Sequence, residues 1–321
     1  MDTRLKRLGP PTPYNFAREA LRVSAKALSR LWGRDVMLYT GGVSFYALLA
    51  AFPTLAIVIG VYSLLLTPAR AIAQADAIAR LLPQGAGDLF LGELLRLSHA
   101  PIRIVSAQSG VALLISLYAA HRGFKAMIAG LSLIHEEDEP HGFVRFNLLA
   151  LLTLLAGIGL VGLLSATFLA VQVLASTLES PLKGVSWFYS EWTWVSLGVS
   201  LGMTLIYRFA MSTRPVAWRA AALGGAAAAI LTMAASWASA VYSKQFAHFG
   251  ATYGSIAAVV VLLVWLSWSV NALFYGGALA TEIELVLERE LEPEAKPKPK
   301  PVGRRGPSER ESSESRPRSR A

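Results

Sequence analysis

The 321-residue chain contains no cysteine, which excludes a disulfide framework, a thiolate metal site and a cysteine nucleophile. Its redox compartment therefore leaves no trace in thiols. Charge is also scarce: Asp, Glu, Lys and Arg make up 16% of the residues against 54% apolar ones, whereas soluble domains carry about 25% charged residues. With a mean hydropathy of +0.47, an ordinary soluble domain is excluded. Catalytic spacings are missing too. The histidines, His99, His121, His135, His141 and His248, form no HxH or HExxH pattern, and no Gly-rich Lys motif for a nucleotide phosphate is present. Nuclease chemistry, which needs paired carboxylates or His/Asp clusters around divalent metals, has no candidate residues. The acidic run Glu136, Glu137, Asp138 and Glu139 reads as a solvated or ion-paired helix end. The sequence thus predicts no catalytic residue, no metal and no cofactor. Nor is a cleavable signal expected: the first 34 residues are polar and basic, and the first apolar run is too long for a signal-peptide core, so it is expected to stay as an anchor.

What the chain does have is six stretches of sixteen or more residues without one Asp, Glu, Lys or Arg: 36–69, 104–121, 146–178, 192–207, 220–243 and 245–281. A helix needs about 20 apolar residues to cross ~30 Å of hydrocarbon. The pattern predicts an all-α fold, a polytopic membrane bundle of about six spans. Of the 30 Lys and Arg, 24 lie before the first run, between the second and third, between the fourth and fifth, or after the sixth. Because cytoplasmic loops carry the Lys/Arg excess, both termini are expected inside. The net charge of +9 is thereby assigned to membrane lipids rather than to nucleic acid.

Three regions follow. Residues 1–35 form a cytoplasmic N-terminal segment in which Tyr14, Ala17, Leu21, Ala25, Leu28 and Trp32 share a helical face beside Arg18, Arg22, Lys26 and Arg30. Such a helix either lies in the headgroup layer or packs on the base of the bundle. Residues 36–288 form the membrane domain. Its first span carries Pro53, expected to kink it. Residues 70–98 read as a helical cap outside the membrane, and the second span is expected to continue beyond the membrane edge through Ala126 to Ile134. Gly198 and Gly202 form a GxxxG pair in span four, expected over 192–207. Gly224 and Gly225 sit in an alanine-rich span five, over 220–241, expected at the centre of the bundle because small residues let helices approach closely. Span six is expected over 255–279. Residues 289–321, rich in Lys-Pro pairs, Ser and Arg, form a disordered basic tail.

Specific segments are familiar. Gly41-Gly42-Val43-Ser44-Phe45-Tyr46-Ala47-Leu48-Leu49-Ala50-Ala51-Phe52-Pro53, His121-Arg122-Gly123-Phe124-Lys125, Arg145-Phe146-Asn147-Leu148-Leu149-Ala150 and Ala251-Thr252-Tyr253-Gly254-Ser255-Ile256-Ala257 resemble signature segments of the YihY / virulence factor BrkB family, in order over about residues 14–288. The resemblance implies a six-span protein of the bacterial inner membrane. It brings no agreed activity: members were once labelled ribonuclease BN, an assignment later regarded as mistaken, and transport has been suggested for some. In many relatives the last span ends Gly-Ala-Glu-Leu. Here Gly276-Gly277-Ala278-Leu279 puts Ala278 where the carboxylate would stand, leaving Glu282 or Glu284 to take any role it had.

Two groups of residues are candidates for function. Tyr46, Pro53, Tyr253, Gly254 and Asn271 are polar or helix-breaking positions expected to converge on one crevice, since an isolated amide or phenol in hydrocarbon is costly. Arg122 and Lys125, with Arg214 and Arg219, are cations at inner helix ends that suit an anionic solute or lipid phosphates. Two functions stay open on this reading. One is transport or export of an amphipathic or anionic solute; the other is a non-transporting scaffold or lipid-handling role.

Overall fold

In a membrane, backbone polar groups must be satisfied within the segment that crosses it, and the uncharged runs meet that demand as helices. The structure, a computed structural model, describes residues 13–32, 35–65, 92, 102–135, 142–177, 190–253 and 255–291. It is all-α. Helix α1 spans Pro13–Trp32, α2 Val36–Leu65, α3 Ile102–Ile134, α4 Phe143–Thr177, α5 Glu191–Phe209, α6 Trp218–Tyr253 and α7 Ser255–Leu291. Among the described residues, three stretches are long and apolar enough to cross a bilayer, Phe143–Val173, Trp218–Tyr242 and Val259–Glu288, and α2 contributes the shorter apolar stretch Val36–Ala51. The residues up to Leu285 form one compact unit; of the second, Val286–Ala321, the described part is the end of α7.

Helix bounds depart from the charge-free runs where good helix formers continue past them. Helix α3 runs unbroken through Arg122 and Lys125 to Ile134, as its Ala- and Leu-rich continuation leads one to expect. Helix α6 does not stop at Val241 but continues through Lys244 to Tyr253, and α7 passes Leu279 and extends through Glu282 and Glu284 to Leu291. Helix α2 is one helix across Pro53, whose side chain lies outside the described ones. Gly254, the cap expected over 70–98 except Gly92, and the tail from 292 onward also lie outside the described residues.

Small residues set the packing. Helices α2 and α3 run antiparallel, with Gly42 facing Ala126, Gly123 facing Tyr46, and the Ser116 hydroxyl donating to the Ala50 carbonyl at 3.5 Å. Ile128, Ala150 and Ala210 form a buried cluster joining α3, α4 and the end of α5. Gly198 and Gly202 face Leu164 and Leu160 on α4. Helix α6 lies between α5 and α7. A Cβ on Gly225 would run into Thr204 and the Ser200 carbonyl, and one on Gly224 would come within 2.5 Å of the Gly276 carbonyl.

One end of the bundle gathers the start of α2, the end of α3, the connection from α5 to α6, and the Glu282 region of α7. There Ser132 donates to the Met211 carbonyl and the Ala217 N–H donates to Glu284. Helix α1 docks at this same end. The chain turns back from α1 into α2 at Asp35, which has φ 52°. Asp tolerates this left-handed conformation better than most side chains, and its carbonyl accepts from the Leu38 N–H at 2.9 Å.

Candidate functional site

Arg122 and Lys125 stand one turn apart on α3, and each is held by a different neighbour. The Arg122 guanidinium donates from Nε and Nη2 to the Tyr46 hydroxyl on α2, both at 3.3 Å, and lies over the same ring at 5.5 Å from its centroid. The hydrogen bond to Tyr46 raises the arginine's already high pKa, so its charge is permanent. Lys125 Nζ donates to Asn147 Oδ1 at 2.7 Å and sits 5.7 and 5.6 Å from the ring centres of Phe143 and Phe146. Asn147 is itself fixed by donating to the Phe143 carbonyl. Arg122 remains exposed. On its flank the surface is apolar: Phe45, Leu49, Leu114 and Tyr118 are all 40% or more exposed. The arrangement is two fixed cations on an oily flank, formed where α2, α3 and α4 meet.

The other basic candidates are placed differently. Arg214 and Arg219 are exposed on and just after the connection between α5 and α6. Nearby, Arg208 donates to the Val216 carbonyl and stacks over Trp218 at 4.3 Å from the ring centre, an aromatic clamp of the kind found at membrane edges.

Of the expected crevice residues, Tyr46 and Asn271 have separate partners. Asn271 Oδ1 accepts from the Thr40 hydroxyl at 3.2 Å, and its Nδ2 donates to the Ser267 carbonyl at 2.9 Å. Thr40 and Tyr46 are six residues apart on α2, so they point about 120° apart around its axis. Asn271 and Arg122 therefore engage different flanks of that helix. Tyr253 is the last residue of α6; its side chain, like that of Pro53, and the whole of Gly254 are outside the described residues.

A third polar group, at the α1 end, came only from the tertiary structure. Glu282 is 7% exposed and accepts from Arg30 Nε of α1 at 2.5 Å. Arg30 Nη1 also donates to the Ile134 carbonyl at the end of α3. The Thr281 hydroxyl donates to the Gly277 carbonyl and lies 3.2 Å from His135 Nδ1. His135 Nε2 faces Glu284 at 3.9 Å, and the other oxygen of Glu284 accepts from the Ala217 N–H. Ala278, where relatives are expected to carry the carboxylate, is fully buried. Glu282 and Glu284 thus hold helices together. The signal for Arg30 was present but disguised. A four-residue ladder drifts about 40° per step around a helix, so by the third step from Arg18 it reaches the buried face.

Among the described residues, no group of three or more His, Cys, Asp or Glu is placed to hold a metal ion. Compared with known proteins, residues 27–301 match the family described as Virulence factor BrkB. The chain is also similar to a protein of Bacillus subtilis (strain 168) that carries the name "Putative ribonuclease-like protein YfkH", with 28% identity over 169 residues. That match covers 50% of this chain and 60% of the relative. No solved structure matches.

Proposed function

From the premise that the chain belongs to the virulence factor BrkB family and is an integral membrane protein, we propose that it moves an amphipathic anion across the bilayer. The observation that carries this is the pair Arg122 and Lys125, each fixed by a neighbouring helix and bordered by exposed apolar side chains. A phosphate or carboxylate would replace water on the two cations while an acyl or ring system lies along Leu114, Tyr118 and Leu49. Fixed donors lose less entropy on binding than free Lys or Arg side chains. By the distribution of Lys and Arg, the end bearing α1 faces the cytoplasm of a bacterial inner membrane, and the cation pair forms the inner rim of the path. No enzymatic step is assigned: the carboxylates and the histidine at the α1 end are engaged in joining helices. The name of the Bacillus relative is a property of that protein.

Purified protein in liposomes tests the proposal with a short-chain fluorescent phosphatidylglycerol as probe and the matching phosphatidylcholine as control. Flux of the anionic probe is expected, with Arg122→Gln or Lys125→Gln lowering it about tenfold, the equivalent of one charge-assisted hydrogen bond. Flux no greater than in protein-free liposomes overturns the proposal. The second reading, a lipid-handling scaffold without transport, would then stand. It is favoured by the absence of any Asp, Glu, Lys or Arg inside the six runs, where coupled transporters usually keep an ionisable group.

A further inference from the structure

Helix α1 has more apolar surface than the bundle uses. Its inward face is accounted for: Ala27 and Leu31 are buried at 0% and 6% exposure, Arg30 is clamped to Glu282, and the Ser24 carbonyl accepts from the Tyr275 hydroxyl. About 100° further round the axis a second stripe faces outward, with Leu21 71%, Leu28 46% and Trp32 72% exposed. Beyond that stripe stand Arg18, Arg22 and Lys26, all exposed, with Glu19 the acid on the same flank. A cytoplasmic helix packed only on protein has no use for an apolar stripe directed away from it. A helix at a bilayer surface needs both the stripe and the cations beside it.

Position narrows the occupant to one. Only residues 33–35 separate Trp32 from Val36, so the end of α1 lies within ~15 Å of the start of the first apolar helix, given 3.8 Å per Cα step. Met37 and Leu38, 47% and 78% exposed, put further exposed apolar side chains in the first turn of α2. The stripe thus stands within a few residues of an exposed apolar surface suited to lipid. We propose that α1 is a membrane-surface anchor whose outer stripe inserts among the acyl chains of the leaflet on its own side, with Arg18, Arg22 and Lys26 on anionic phosphates. Because Arg30 ties the same helix to Glu282, the lipid-bound helix is fastened directly to α7 at that residue. The inference does not depend on whether the protein transports anything.

The absence of cysteine makes the test direct. Single cysteines at 21, 28 and 22, each carrying an environment-sensitive fluorophore, are compared in the full chain reconstituted at one copy per nanodisc. The lipid is phosphatidylcholine alone or mixed with phosphatidylglycerol, with and without brominated acyl chains. Labels at 21 and 28 are expected to emit at shorter wavelength and to be quenched by bromine about twofold more than the label at 22, most strongly with the anionic lipid. Replacing Arg18, Arg22 and Lys26 together by Gln should remove the dependence on anionic lipid while Leu28 stays shielded by the clamp. Equal access of an aqueous quencher to 21, 28 and 22 in both lipids overturns the proposal. So does shielding that appears only in discs holding two copies, which would assign the stripe to a second chain.

Discussion

Arg30 and Glu282 stand 252 residues apart in sequence and meet at 2.5 Å, both side chains largely withdrawn from solvent at 14% and 9% exposure. Removing one partner of such a pair leaves a buried charge uncompensated, at about 3 kcal/mol, while removing both forfeits much less. Arg30→Gln and Glu282→Gln are therefore expected each to lower stability by about that amount, and the double variant to fall well short of their sum. Chemical unfolding in mixed micelles measures this; strict additivity would show that the two groups do not interact. Tyr207 is a second residue whose role is positional. It is fully buried and donates to the Leu273 carbonyl of α7, and its ring reaches α7 where Gly276 and Gly277 leave room. Tyr207→Phe leaves that volume filled and removes a single bond, so a loss of about 1 kcal/mol is expected.

At the scale of elements, the seam between α6 and α7 is defined by what cannot be added to it. A Cβ on Gly276 would lie 2.6 Å from the Gly224 carbonyl, 2.7 Å from the Tyr207 hydroxyl and 2.8 Å from Ala228. Two backbones and a buried ring have little freedom to retreat. Gly162 on α4 has nothing within 4 Å. Gly276→Ala is thus expected to destabilise by about 1–3 kcal/mol, whereas Gly162→Ala, which gains helix propensity in open space, is expected to be neutral or to stabilise by up to about 1 kcal/mol. Thermal unfolding in detergent separates the two; an equal shift at both sites would mean that the seam is loose. The alanine and glycine content of 220–229 already pointed to close packing. It did not say that Gly224 serves α7 while adjacent Gly225 serves α5, because neighbouring residues point about 100° apart and the rotation of the helix is set by its partners.

At the scale of the whole molecule, the contacts bring α1, the end of α3, the connection between α5 and α6, and the Glu282 region of α7 to one end of the bundle. With the 24 Lys and Arg assigned to that end, reporter fusions are expected to place residue 85 outside and the C-terminus inside. A cytoplasmic readout at residue 85 would refute this orientation. The sequence by itself determined the class of the molecule and the existence of its helices, because hydrocarbon forbids charge and unpaired backbone wherever it is met, and that constraint is written locally, residue by residue. It also identified Arg122 and Lys125 as cations at the inner end of a span whose helix continues past them. Only the tertiary structure decided which polar groups meet: Arg122 with Tyr46 rather than Tyr46 with Asn271, Asn271 with Thr40, and Arg30 with Glu282. Such pairs depend on the angle at which each helix presents a side chain and on neighbours far away in the chain, and a drift of about 40° over one four-residue step is enough to turn a solvent-facing cation into a buried clamp.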